Sequence, residues 1–395
     1  MFGSSHDGEP QGRIAIDATS QVIGGGVTVA RDLAGAMARE RPGTRFAFFC
    51  SIEPLARGPY PGNVEVVYRP ELAGLGRRIG WEQRRLPGIL RNGGYDVLLN
   101  LGGFAILRCP VPQVSVWQNP NIFTRIPVPR SFSLDAYIGF QRLVQRVSMR
   151  RADMNVFLTE DSLGEAGTRW DIRRIPHVVI HHGVPELPRP APDAQLPSEP
   201  FVLAVGHSYF HKNYEVLIDA VGRYRERFGE PPLVWIAGGA VDDAYHATLL
   251  ERVRDRGLEG RVRFLGAQPP ERVAALYAGA AAYVTTSVLE SFGLTPLEAM
   301  ARETPVLAGE ASCIPEVCGD AALYCDPRDP DDVALKLRRV LEDESLRSQL
   351  VERGRLRVKR FSWAESAQRY LVAIDACLAE ATPASAARSA ARSIG

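Results

Sequence analysis

TTSVLESFGLTPLEAMARETPVLAGEASCIPEVCGDAALYCD, from Thr285 to Asp326, is the stretch whose reading decides the fold. It is entered through Ala281-Ala-Tyr-Val-Thr285, an apolar run with the character of a buried parallel strand. A loop with Glu290 and then Ser-Phe-Gly-Leu follows. Thr295 and Pro296 mark a helix start, a hydroxyl N-cap and then proline at the first helical position. The helix covers Leu297-Glu298-Ala-Met-Ala-Arg302, and Pro305-Val-Leu-Ala308 reads as the next strand, so the unit is βαβ. Its helix N-terminus brings orphan N–H groups and a positive dipole end to the loop, a geometry that binds phosphate. Glu290 and Glu298 bracket that point with seven residues between them. Taken by itself, Thr295-x-x-Glu298 also has the form of a capping box, in which Glu298 would only bond the Thr295 backbone.

The stretch resembles the E-x7-E signature of retaining GT-B glycosyltransferases, glycosyltransferase family 4 or glycosyl transferases group 1. E-S-F-G-L-T-P-L-E-A-M-A, then T-P-V-L-A, then I-P-E-V-C-G-D-A-A-L follow that family's pattern. The resemblance implies an α/β chain of two Rossmann-like, doubly wound domains facing a cleft. It implies that Glu298 holds the ribose hydroxyls of a nucleotide and that Glu290 approaches the transferred sugar. It assigns the backbone of Phe292, Gly293, Leu294 and Thr295 to the sugar and diphosphate. Glu316, in I-P-E-V, is a recurrent acid of the family without an assigned role here.

A length of 395 residues suits two domains, and 45% hydrophobic with 24% charged residues is ordinary for a globular chain. A net charge of +1 gives no argument for nucleic acid. No apolar run reaches the ~18 residues of a membrane span. The first residues, MFGSSHDGEPQGR, lack the apolar core of a signal peptide, so a cytoplasmic location is expected. The six cysteines (50, 109, 313, 318, 325 and 377) are scattered without zinc spacing and read as reduced thiols.

In chain order, residues 1–12 are expected to be disordered. Arg13–Asp17 reads as the first strand, and Gly24-Gly25-Gly26 leads into a helix from Val27 to Arg39. Strand, glycine turn and helix form a phosphate-approach pattern, with a plain tight turn as the alternative. The resemblance sends this loop, Gly25 and Gly26 in particular, across the cleft to the donor diphosphate. Further strands are expected at Arg45–Cys50, Val64–Tyr68, Tyr95–Leu101, Gln113–Trp117, Met154–Leu158 and Val178–Ile180. Their alternation with helices predicts a parallel, doubly wound sheet. Pro185 to Pro200 is the break in composition, which places the first domain at 1–190 and a linker at 191–200. A second domain, 201–361, opens with strand Phe201–Gly206 and an amphipathic helix Asn213–Phe228. Strands at 233–237, 262–265 and 281–285 continue its sheet. Ser362-Trp-Ala-Glu365 begins a helix expected to end near Ala379. The resemblance sends that helix, 362–380, back onto the first domain, and leaves 381–395 as a disordered tail.

Gly206 and Lys212 lie in G-H-S-Y-F-H-K-N after the strand Phe201–Gly206. The family pattern has an arginine and a lysine here, both at the donor diphosphate. Lys212 matches it, and a surface lysine is the alternative. His207 and His211 stand where the arginine belongs. If His211 takes that place, its charge should depend on pH and turnover should fall as it deprotonates. Gln118 and Asn119 replace the His-Asp that the family often carries after strand Gln113–Trp117. Amides hydrogen-bond sugar hydroxyls but do not act as bases, so these two are acceptor-side candidates, with Gln118 also a candidate in catalysis. No histidine lies between His6 and His177.

His177, His181 and His182 do not form a metal set, and H-H-G-V resembles a structural turn of the family. Asp242 and Asp243 read as solvated acids at a helix start. No cofactor and no catalytic metal are expected, only a nucleotide-sugar donor and a hydroxyl acceptor. The basic, apolar stretches 74–91 and 125–151 read first as ordinary amphipathic surface helices, and second as a contact with anionic membrane or an acidic acceptor. The implied reaction is hexose transfer from a GDP- or UDP-sugar with retention. The alternatives are an epimerase or phosphorylase on a related fold and a sugar-nucleotide-binding protein without turnover.

Overall fold

The computed structural model describes residues 12–118, 132–192 and 195–392, and the expected disorder of residues 1–11 and 393–395 lies outside them. The first apolar runs form one sheet: β1 (Arg13–Asp17), β2 (Arg45–Cys50), β3 (Val64–Tyr68), β4 (Val97–Asn100), β5 (Gln113–Trp117), β6 (Met154–Phe157) and β7 (His177–Val179). Their order is β3-β2-β1-β4-β5-β6-β7, every neighbouring pair parallel. A second sheet holds β8 (Phe201–Val205), β9 (Leu233–Ala237), β10 (Val262–Gly266), β11 (Ala282–Thr285), β12 (Val306–Gly309) and β13 (Ala322–Cys325). Its order is β10-β9-β8-β11-β12-β13, again all parallel. Each sheet reverses its winding once, between β1 and β4 and between β8 and β11. Loops at such switch points, at the carboxyl ends of the strands, form binding crevices.

The strands are continuous apolar runs because helices cover both faces. Ala15 and Ile16 of β1, Phe46 and Phe48 of β2 and Leu98 and Leu99 of β4 are all fully buried. Most expected strands appear with shifts of one residue. The larger difference is at Tyr95, whose N–H bonds back to the Leu90 carbonyl in a turn, so β4 starts only at Val97. The first helix begins at Gly25, two residues before the expected Val27.

The last helix, Trp363–Arg392, lies against helix Gly25–Glu40 of the first domain. Its Tyr370 and Ile374 are fully buried in the same core cluster as Leu33 and Met37. Arg41 donates both terminal nitrogens to the Asp375 carboxylate at 2.8 and 2.6 Å, and Ser366 Oγ donates to the His181 carbonyl at 2.6 Å. The helix runs on to Arg392, past the expected end at Ala379 and through a stretch expected as disordered tail. Residues 379–391 are rich in alanine, the strongest helix former, which favours that continuation. The proline-rich segment before β8 is tied down rather than free: Ala191 N–H bonds to the Glu271 carbonyl, and Arg302 donates to the Leu187 carbonyl at 2.8 Å.

His182 sits where the two domains and the last helix meet. It is 2% exposed, with ring centroids 5.4 Å from Phe292 and 5.5 Å from Trp363, and neither ring nitrogen has a partner among the described residues. Burial, with a smaller push from His181, lowers its pKa to about 3. Unfolded, it would titrate near 6.5. The unfolded chain therefore binds a proton between pH 6.5 and about 3 that the native chain refuses, and this histidine costs stability as pH falls through that window. The expected slope from this residue is about 1.4 kcal/mol per pH unit. Buried carboxyls with raised pKa values act in the opposite sense, so the informative quantity is the difference between proteins. Melting curves of wild type and His182→Leu from pH 7 to 4 should converge at high pH and separate at low pH, with the variant the more acid-resistant. Parallel curves would mean that His182 is solvated in the native state.

Candidate active site

The switch points of the two sheets face each other across a cleft of about 1250 Å³. Its second-domain wall includes the loops after β8 and β11, and its first-domain wall those after β1 and β4 together with parts of helices Leu75–Arg84 and Phe132–Arg151. Gly206 follows β8 with φ 151°, and a Cβ there would lie 2.9 Å from Lys212 Cε. Glycine thus leaves room for the Lys212 stem to fold back over the strand end. The backbone of Lys212 and Asn213 is fixed from β11: Thr286 Oγ1 lies 3.1 and 3.0 Å from their carbonyls, and Asn213 Nδ2 donates to the Thr286 carbonyl at 3.2 Å.

Held this way, Lys212 Nζ meets Glu290 Oε1 at 2.6 Å, with both side chains largely buried. Burial alone would raise the Glu290 carboxyl, but Lys212, His211 and a hydrogen bond from Ser287 together hold it below the usual range. The Glu290 backbone is fixed as well, by Ser312 Oγ at 3.0 Å from its carbonyl and 3.3 Å from its nitrogen.

His211 lines the same cleft. Burial pushes its pKa down to about 4, with Lys212 adding to the effect and Glu290 opposing it. With that pKa the imidazole is neutral at pH 7 and is not a second cation beside Lys212. Its Nδ1 is buried and has no partner among the described residues.

The helix after β11 runs Leu294–Ala301 and is capped by Gly293 in the left-handed region, φ 88°. Thr295 is therefore not the N-cap. Its hydroxyl accepts from Tyr283 Oη at 2.7 Å, and Glu298 accepts from Tyr277 Oη at 2.9 Å. The capping box does not form, and Glu298 lies on the cleft wall. Burial raises its pKa, against the Tyr277 hydrogen bond and the Lys212 charge. Phe292 also lines the cleft, while its ring packs against His181, His182 and Phe361 at the domain junction. Gly24, Gly25 and Gly26 line the cleft, and the first two reach the second domain: a Cβ on Gly24 would lie 3.5 Å from His207, and one on Gly25 3.4 Å from Leu294. Gln118 is in the cleft at the end of β5, its amide 3.4 Å from the Leu101 carbonyl, and Asn119 lies outside the described residues. Asp242 caps the helix Asp243–Asp255 by accepting from Tyr245 N–H.

Several functional groups escaped the sequence reading. Glu316 is a clasp between domains. Its oxygens accept from the Glu160 and Asp161 N–H groups at 2.9 and 3.0 Å, at the N-terminus of helix Glu160–Arg169 of the first domain. His181 Nε2 lies 2.9 Å from the same carboxylate. A carboxylate at a helix N-terminus is favoured by the dipole and by the orphan N–H groups. Helix Leu75–Arg84, read as an ordinary surface helix, turns Arg78 and Glu82 inward instead. They meet Asp17 at the end of β1, with Thr19 Oγ1 2.7 Å from Asp17 Oδ1 and 3.3 Å from Glu82 Oε1. An i, i+4 Arg-Glu pair beside exposed apolar residues is the only sequence signal this arrangement leaves.

The fold and the cleft define a two-domain GT-B protein. Residues 192–357, which span most of the second domain, match the family described as glycosyl transferases group 1. O-antigen chain mannosyltransferase B of Escherichia coli is 40% identical over 116 residues, 29% of this chain and only 30% of that protein's length. The chain thus spans about a third of this relative. Sucrose-phosphate synthase from Thermosynechococcus elongatus superposes with a TM-score of 0.75 at 21% identity, covering 94% of this chain and 100% of the other. Anabaena Alr3699/HepE in complex with UDP and glucose does so with a TM-score of 0.70 at 19% identity, covering 93% and 100%.

The buried pair has a testable energy. Lys212→Ala should lower stability by about 3–5 kcal/mol, because Glu290 keeps its burial and loses its partner. Adding Glu290→Gln should recover most of that loss. Denaturant titrations of both variants check this, and equal destabilisation of the single and double variants would contradict a buried ion pair.

Proposed function

We propose that the chain is a retaining glycosyltransferase that moves a hexose from a nucleoside diphosphate sugar to a hydroxyl acceptor. The observation that carries this reading is the buried Lys212–Glu290 pair, on the wall of an interdomain cleft that Glu298 and the N-terminus of helix Leu294–Ala301 also line. The GT-B neighbours and the group 1 family match of the second domain support it. Glu298 accepts hydrogen bonds from the ribose hydroxyls. The diphosphate lies against the N-terminus of helix Leu294–Ala301, the Gly24–Gly26 loop and Lys212. His211, neutral, donates to a phosphate oxygen from Nδ1, which is buried and has no partner among the described residues.

In the reaction the bond from the anomeric carbon to the β-phosphate oxygen breaks, and its electron pair leaves with the diphosphate. The acceptor oxygen bonds to the anomeric carbon on the same face. Its proton passes to the departing phosphate oxygen, so Gln118 need not act as a base. Lys212 and the backbone amides stabilise the developing charge from fixed positions, which is electrostatic catalysis without a required metal. Gln118 orients sugar hydroxyls. Closure of the domains would exclude water.

Incubation with GDP- and UDP-sugars tests the class: nucleoside diphosphate should appear with acceptor present and persist in EDTA, whereas an epimerase would release it without one. Glu298→Ala should weaken nucleoside diphosphate binding by about 1.5–3 kcal/mol. The same substitution should hardly affect a 2′,3′-dideoxy analogue, because the hydroxyls it reads are already absent. Calorimetry with both ligands decides; equal losses would place the ribose elsewhere.

A further inference from the structure

The first-domain wall of the cleft has its polarity reversed. On helix Leu75–Arg84, Leu75 and Ile79 are 47% and 38% exposed, while Arg78 and Glu82 are 8% and 3% exposed. All four lie on one helical face and line the cleft. Helix Phe132–Arg151 repeats the inversion: Leu143 and Val147 are exposed, Gln145 is 3% exposed, and these three line the cleft too. Helices on a protein surface normally bury the apolar stripe and solvate the polar one. Contiguous exposed apolar side chains inside a cleft mark a surface meant to be covered.

The polar groups beneath are neither free charges nor satisfied. Burial, and the nearby Asp17, push the Glu82 carboxyl up to about 8, and burial raises Asp17 as well. The pair lies beside Arg78, whose Nε is 3.4 Å from Glu82 Oε1. Arg78 and Glu82 are the only Asp, Glu, Lys or Arg side chains on this wall among the described residues. Gln145 Oε1 is buried without a hydrogen-bond partner, as are Arg78 Nε and Asp17 Oδ2. An orphan amide oxygen beside an apolar wall needs a donor from a ligand.

We propose that the acceptor taken by this wall is an uncharged amphipathic alcohol, its apolar body on Leu75, Ile79, Leu143 and Val147 and its hydroxyl-bearing end at Gln145 and Glu82. This rests on the glycosyltransferase reading. Among the described residues of this wall the one cation, Arg78, already has the Glu82 carboxyl beside it, so nothing there favours a phosphorylated acceptor, and a free sugar would leave the apolar side chains in water.

The test is transfer, from whichever of GDP-mannose and UDP-glucose binds, to hexyl, octyl and decyl β-glucosides below their micellar concentrations, against glucose and glucose 6-phosphate. The value of kcat/KM should rise about two- to fourfold per added methylene, the gain from burying each. Ile79→Asp with Leu143→Asp should flatten that series; both side chains are exposed, so the fold tolerates the change. Gln145→Leu should keep or raise the melting temperature while raising the KM for octyl glucoside about tenfold, a split that a merely structural glutamine would not give. Use of glucose or glucose 6-phosphate with no gain from chain length overturns the acceptor class and leaves the transferase standing. Donor binding with transfer to none of the five compounds overturns both.

Discussion

A buried ion pair, Lys212 to Glu290 at 2.6 Å, is the constraint around which the cleft is built. Two charges removed from water need fixed partners, since an unpaired one costs several kcal/mol. The surrounding architecture fixes them. Gly206 makes room for the lysine stem, Asn213 and Thr286 lock the loop after β8 to the loop after β11, and Ser312 holds the Glu290 backbone. The lysine is thereby held on the cleft wall that the N-terminus of helix Leu294–Ala301 also lines. Preorganised charge of this kind stabilises a leaving diphosphate without reorganisation at the moment of reaction.

The same region binds the domains together. Ser312 and Glu316 flank one short turn of the second domain, and both reach helix Glu160–Arg169 of the first, Ser312 through Asp161 and Glu316 through two backbone N–H groups. Glu290 is thus linked through Ser312 to the domain junction. His182, Phe292 and Trp363 pack the other side of that junction, and the terminal helix closes it. Motion of one domain against the other would reach the backbone of Glu290 through Ser312.

The fold was legible because its signals are local. Apolar runs of strand length, glycines after strands and the proline-rich break each carry their meaning in a few adjacent residues. The strip from Glu290 to Glu298 was legible for the same reason, as a loop feeding a helix N-terminus. What escaped depends on burial by distant segments. The charge state of His211 is set by what packs over it, and Thr295 and Glu298 turn to Tyr283 and Tyr277 because those hydroxyls come from neighbouring elements. Helix Leu75–Arg84 was misread because its inward face is polar, and local amphipathicity does not say which face a tertiary structure will bury. Glu316 was recognisable as an acid of the family pattern, but its partners lie about 155 residues earlier in the chain.

The central claim is that the Lys212–Glu290 pair is the seat of the donor diphosphate. A crystal structure with bound nucleoside diphosphate tests it most directly, through one distance. The account predicts that Lys212 Nζ leaves Glu290 Oε1, now 2.6 Å away, for a phosphate oxygen, with the ribose on Glu298. A nucleotide bound elsewhere, or bound here with the ion pair still closed and Glu298 untouched, would contradict it.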